Sequence, residues 1–141
     1  MNAIQNIILF VWELPQNVLG ITYLLVKKAR GSVIEKMWER NRLFIKVRHG
    51  AVSLGLFVFW SDSGNGVFVL DERNRLHEYG HTIQSRILGP LYLPVVGIPS
   101  VSRVMYAHRY YRKHGREWTG YYRGFPENWA DKLGNVISGE V

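Results

Sequence analysis

Five consecutive residues, His77-Glu78-Tyr79-Gly80-His81, carry the clearest chemical signal in the chain. On a helix, imidazoles four positions apart lie on one face, a turn up the axis from each other, and can share one metal ion. The carboxylate beside the first histidine leans over the same ion and can take a proton from water activated there. The pattern H-E-x-x-H arises by chance in roughly one chain in a hundred of this size. Here a strand-like segment precedes it, an amphipathic pattern runs through it, and an E-x-x-x-D pair follows it, at Glu127 and Asp131.

Two histidines need a third protein ligand, with a fourth position left open for chemistry. A histidine six residues beyond the motif is one known source, but Gln84 stands where that pattern needs glycine and Ile87 where it needs histidine. Glu127 is the second source. Asp131, one helical turn later, could accept a hydrogen bond from a ligating imidazole and fix its tautomer. His108, His114 or Asp131 itself form the third. Glu127 with Asp131 is the expected pair, against the plainer reading of a solvated helix face. With no cysteine in the chain, thiolate ligands and disulfides are excluded.

These groups need elements to hold them. The spacing predicts a helix over 71–88, capped by Asp71 or Asn74 and ended by Gly89-Pro90. Leu76, Gly80, Ile83 and Ile87 recur at helical period and predict a buried stripe beside the His77, His81 and Gln84 stripe. Glycine inside a helix costs about 1 kcal/mol relative to alanine. Gly80 therefore predicts a second backbone packed close behind the motif. Upstream, residues 33–34, 43–47, 52–60 and 67–70 are rich in β-branched and aromatic side chains, and turn-like segments separate them at 39–42, 48–50 and 61–66. The expected fold class is α+β: a small, mostly antiparallel sheet of three to four strands packed on the motif helix and further helices. His49 reads as a turn residue at a hairpin tip. Downstream, two prolines and a glycine predict an extended segment over 91–99, then a helix over 101–114 capped by Ser100. A short helix over 126–133 opens on Pro126 and stops at Gly134, with 135–141 as a frayed tail.

The 141 residues divide into an apolar helical segment, 1–30, and a metal-binding domain, 31–141. The first is broken by Glu13, Pro15, Gln16 and Asn17 and closed by Lys27, Lys28 and Arg30. It reads as two short helices hinged at Leu14-Pro15 and packed on the domain, or as an attachment to an anionic membrane surface. No basic residue precedes it and no small-residue cleavage site follows it, so a secretory signal is not expected. The location expected is cytoplasmic or membrane-associated. The net charge of +7, from 18 Lys+Arg against 11 Asp+Glu, favours acidic partners. Residues 103–123 interleave Arg, Lys, Tyr and Trp, a composition that can grip nucleic acid. An ordinary solvated basic helix is the favoured reading, which makes nucleic acid the weaker partner.

HEYGH with the later ENWAD resembles the zincin metallopeptidases, in particular the gluzincin branch, whose third ligand is a glutamate in an E-x-x-x-D helix. The longer string HEYGHTIQSRILGPLYLPVVGIPS also resembles small bacterial proteins and toxin-associated domains. The resemblance spans about residues 67–134. It implies that His77, His81 and Glu127 bind Zn²⁺, that Glu78 is the general base, and that Asp131 supports a ligating histidine. A peptide or protein substrate follows, laid along the edge strand at 52–59 or 67–70. Tyr106, His108, Tyr110 and Tyr122 are the candidates for stabilising the oxyanion. The chain is too short for the large helical domain that walls the cleft of the bigger gluzincins. A zinc site without catalysis is the alternative.

Overall fold

The computed structural model describes residues 1–64, 66–68 and 70–136. Two helices open the chain, α1 (Ala3–Trp12) and α2 (Leu14–Ala29), bent by 90° at Glu13. A capping box starts α1: Asn2 Oδ1 accepts from the Gln5 amide at 2.9 Å, and Gln5 Oε1 accepts from the Asn2 amide at 3.0 Å. Pro15 lies in the first turn of α2, where its missing N–H removes no helical bond.

Four strands follow among the described residues: β1 (Val33–Glu39), β2 (Arg42–Val47), β3 (Val52–Leu54) and β4 (Phe57–Trp60), in sheet order β1-β2-β4-β3. Arg40 and Asn41 both take positive φ, 47° and 61°, the geometry of a tight two-residue hairpin turn. β1–β2 and β3–β4 are antiparallel and β2–β4 is parallel, so the sheet is mixed. The segment 52–60, expected as one strand, is a hairpin. Gly55 turns it with φ 63°, and Asn17 Oδ1 accepts from the Leu56 amide at 2.7 Å, tying the turn to α2. Around 67–70 the expected strand is missing: Val67, Phe68 and Leu70 belong to no strand, and Val69 lies outside the described residues. Val67 packs instead with Ala107 and Tyr121.

The sheet is covered on both faces. Ile45, Val47, Phe57 and Phe59 pack with Tyr23 and Leu24 of α2, while Phe44, Val58 and Trp60 pack with Tyr79 of the motif helix. Alternation along β2 and β4 sends successive side chains to opposite layers. Both layers are apolar, so β4 reads as a continuous apolar run from Phe57 to Trp60.

The motif helix, α3 (Glu72–Leu88), begins where predicted, with the Asp71 carboxylate accepting from the Arg73 amide at 2.9 Å. Residues 89–99 are helical, not extended. A 3-10 turn (Gly89–Leu91) and a π turn (Leu93–Gly97) lead directly into α4 (Ile98–His114). Pro90, Pro94 and Pro99 each fall at the first or second position of a helical segment, where proline is tolerated. Ser100 is thus inside α4 and caps nothing. The last helix, α5 (Glu127–Gly134), follows Pro126. Gly134 belongs to the helix, and Asn135 closes it in the left-handed conformation. Asn135 and Val136 remain bonded to α5 through the Lys132 and Asp131 carbonyls, and 137–141 lie outside the described residues.

Gly80 does what its cost implied. A Cβ there would overlap the Ala130 carbonyl oxygen of α5, and a Cβ on Gly134 would overlap the Leu76 carbonyl oxygen of α3. The two glycines let the α3 and α5 backbones touch. Of the expected buried stripe only Gly80 is buried; Leu76 and Ile83 are half-buried and Ile87 is exposed.

Candidate metal centre

The close approach of α3 and α5 brings three side chains to one point. His77 Nε2 lies 3.0 Å from Glu127 Oε2, His81 Nε2 lies 3.1 Å from the same oxygen, and the two Nε2 atoms are 3.1 Å apart. All three residues are buried, and together they form a group able to hold a metal ion. The imidazole planes are perpendicular, with centroids 4.7 Å apart.

The outer bonds determine which atoms carry protons. His77 Nδ1 is 2.6 Å from Asp131 Oδ1, an acceptor, so Nδ1 holds the proton. Gln84 Nε2 donates to the Pro126 carbonyl at 3.0 Å, which turns Gln84 Oε1 toward His81 Nδ1 at 2.7 Å. That nitrogen must also be N–H. Both neutral imidazoles therefore direct lone pairs at each other and at a carboxylate oxygen. Three converging lone pairs repel unless a cation lies between them. The edges of 3.0–3.1 Å compare with about 3.3 Å for a tetrahedral site with bonds of about 2.0 Å. The donor set and its size fit a zinc ion.

The other cation that fits is a proton. Burial disfavours charge on His77, but its bonds to Asp131 and Glu127 and the charge of Glu78 outweigh this and lift the imidazole to about 10. Burial likewise pushes the Glu127 carboxyl up, while bonds from His77 and His81 more than reverse it and hold it far below the usual carboxylate range. Glu127 is thus a carboxylate at any ordinary pH.

Ser100 of α4 donates to Glu127 Oε1 at 2.5 Å. Glu127 consequently turns only Oε2 to the histidines. Arg103 holds the preceding loop, donating to the Gly120 and Tyr121 carbonyls at 2.7 Å.

Glu78 points to the sheet side. Ser53 Oγ lies 2.8 Å from its Oε2 and 2.6 Å from its backbone carbonyl. Burial raises the Glu78 carboxyl above its ordinary value, against the pull of His81, His77 and Ser53. Glu78 lines two cavities. The larger, about 580 Å³, is lined by Glu78, His81, β3 and the start of α4. The smaller, about 170 Å³, is lined by His77, Glu78, His108 and Tyr122.

The structure thus brings together His77, Glu78, His81, Glu127 and Asp131. His108 and Tyr122 reach the smaller cavity, with the Tyr122 ring 5.1 Å from that of His77. Tyr106 and Tyr110 line neither cavity: Tyr106 packs on Trp118, and Tyr110 on His114. His49 is exposed in a bend. Ser53 was not legible from the sequence, because a lone serine in a short strand gives no signal. Gln84 and Ser100 were visible only as a stripe member and a cap. Comparison of the chain with family models, with curated proteins and with solved structures finds no match.

Proposed function

We propose that the protein is a zinc-dependent hydrolase that cleaves peptide bonds. The observation that carries this reading is the convergence of His77 Nε2, His81 Nε2 and Glu127 Oε2, with both Nδ1–H groups committed elsewhere. Two histidines and a glutamate with a fourth position left for substrate are a donor set of catalytic zinc. The three residues would hold Zn²⁺, which when bound polarises a carbonyl and acidifies water.

The remaining work belongs to side chains of this chain. Glu78 takes the proton of the attacking water and returns it to the leaving amine, a task suited to a carboxyl whose burial raises its proton affinity. Ser53 keeps Glu78 in place. Burial, with the charges of Glu78, Asp131 and Glu127, keeps the Tyr122 hydroxyl protonated well above its ordinary range. It and His108 supply the hydrogen-bond donors along the smaller cavity for charge developing on the substrate oxygen. A peptide fits better than a small ester, because β3 is an edge strand and Val52, Ser53 and Leu54 line the larger cavity. An extended substrate can pair with that edge.

The nucleic-acid reading has less support. Arg103 is committed to internal carbonyls, and Trp118 meets Tyr106 and Tyr121 edge to face. The experiment is hydrolysis of a mixed peptide library by zinc-reconstituted protein and by Glu78→Gln. We expect cleavage by the first only, with zinc content equal in both. Equal cleavage by Glu78→Gln removes the base and the proposal with it.

A further inference from the structure

We propose that the outer faces of α2 and α4 dock on an anionic phospholipid bilayer, so that the larger cavity opens at the lipid surface. The first observation is an inverted polarity. At the α1–α2 bend the buried residues are Glu13, Gln16 and Asn17. Gln16 donates to the Gly89 carbonyl at 2.6 Å and Asn17 to the Phe10 carbonyl at 3.0 Å. The apolar stripes point outward instead. Ile4, Ile7, Ile8 and Val11 on α1 are 61–68% exposed, and Leu14, Val18, Ile21 and Leu25 on α2 are exposed at helical spacing. A water-facing helix has the opposite arrangement.

The second observation is continuity with the cleft. Leu19 of α2 and Ile98 and Val101 of α4 line the larger cavity and are also exposed, Ile98 by 65% and Val101 by 59%. Met105, one turn further along α4, extends the same surface. The mouth of the cavity is therefore rimmed by apolar side chains from both helices.

The third observation is charge, which selects lipid over a second copy of the chain. Helices α1, α2 and α4 contain no acidic residue. Lys28 continues the α2 stripe one turn beyond Leu25, Arg30 follows it, and α4 ends in Arg112, Lys113 and His114. Two such faces would repel each other, whereas anionic headgroups attract them. No single helix is long and apolar enough to cross a membrane, and the α1–α2 pair is bent by 90°. The face lies on the bilayer as an interfacial element. On the hydrolase reading above, the substrate is then a polypeptide segment presented at the lipid surface. The docking itself does not depend on that reading.

Flotation of the full zinc-loaded chain with vesicles of phosphatidylglycerol and phosphatidylcholine, or of phosphatidylcholine alone, tests the docking. We expect the chain to float with the first and far less with the second. Lys28→Gln with Arg30→Gln should weaken anionic binding about thirtyfold and leave helicity and zinc content unchanged. Val18→Glu with Leu25→Glu should leave the chain at the bottom of the gradient. No flotation with either vesicle, together with a dimer that the Val18→Glu, Leu25→Glu variant dissolves, makes the face a self-association surface and overturns the proposal. The substrate is tested by anchoring one cleavable peptide to vesicles and comparing it with the free peptide. Faster cleavage when anchored is expected, and equal rates with flotation intact remove the substrate inference. Cleavage of neither, with zinc bound, counts against the hydrolase reading and leaves the flotation result to decide docking.

Discussion

Two regions of this molecule bury polar side chains, and they do so to different ends. Between α3 and α5 the buried groups are His77, His81, Glu127 and Gln84, and every one has a partner that fixes its orientation. At the α1–α2 bend the buried groups are Glu13, Gln16 and Asn17, and Glu13 Oε1 and Gln16 Oε1 have no hydrogen-bond partner among the described residues. Desolvation pushes the Glu13 carboxyl up, against a hydrogen bond from Ser85 and the charge of Arg86. The first region is organised around a point where three lone pairs meet. The second uses its polar groups to attach a helix whose apolar side faces out. Buried polarity by itself does not mark a candidate metal site; the direction of the lone pairs does.

Substitutions can break that contrast. The largest effect is expected at the ligands. Glu127→Ala or His81→Ala should lower zinc affinity by more than about a hundredfold, measured by competition with a chelating dye, whereas Gln16→Ala should leave it unchanged. Next is the backbone contact that aligns the ligands. Gly80→Ala forces a methyl into the Ala130 carbonyl, which neither helix backbone can avoid, and should cost about 3 kcal/mol in denaturant unfolding. At Gly31, by contrast, an added Cβ meets nothing and only the positive φ is strained. Asp131→Asn should weaken zinc about tenfold, by replacing the charged acceptor of the His77 Nδ1–H with a neutral amide.

A second proton on His77, at Nε2, gives a pH dependence. In the metal-free protein the His77 imidazole binds its proton up to about 10, so zinc must displace it. Apparent zinc affinity should rise about tenfold per pH unit below that value and level off above it. Titration calorimetry in buffers of different ionisation enthalpy should show a proton released on binding at neutral pH. The smallest effect is expected at Ser53→Ala, where loss of one hydrogen bond to Glu78 should lower turnover about fivefold with zinc content unchanged.

The legible part of this molecule is the part with a period. The i, i+4 spacing of His77 and His81, the matching spacing of Glu127 and Asp131, and the cost of Gly80 together pointed to one helix pair, and α3 and α5 form it. What was hidden depends on tertiary context. Residues 89–99 carry prolines that stop a helix in its interior, but each falls in a first turn, and only the register of the helices reveals that. The break of 52–60 into a hairpin rests on Gly55 and on the Asn17 side chain reaching its turn from α2. The parallel pairing of β2 with β4 follows from that hairpin. Ser53 acts through its place opposite Glu78, which one-dimensional spacing does not encode.

The central claim is that His77, His81 and Glu127 hold one zinc ion. X-ray absorption at the zinc edge of the reconstituted protein tests it most directly. The account predicts one zinc per chain, bound by two imidazole nitrogens and a carboxylate oxygen at about 2.0–2.1 Å, with a further light-atom ligand. The carboxylate contribution should vanish in Glu127→Ala. A chain that binds no zinc, or a spectrum unchanged in Glu127→Ala, would contradict it.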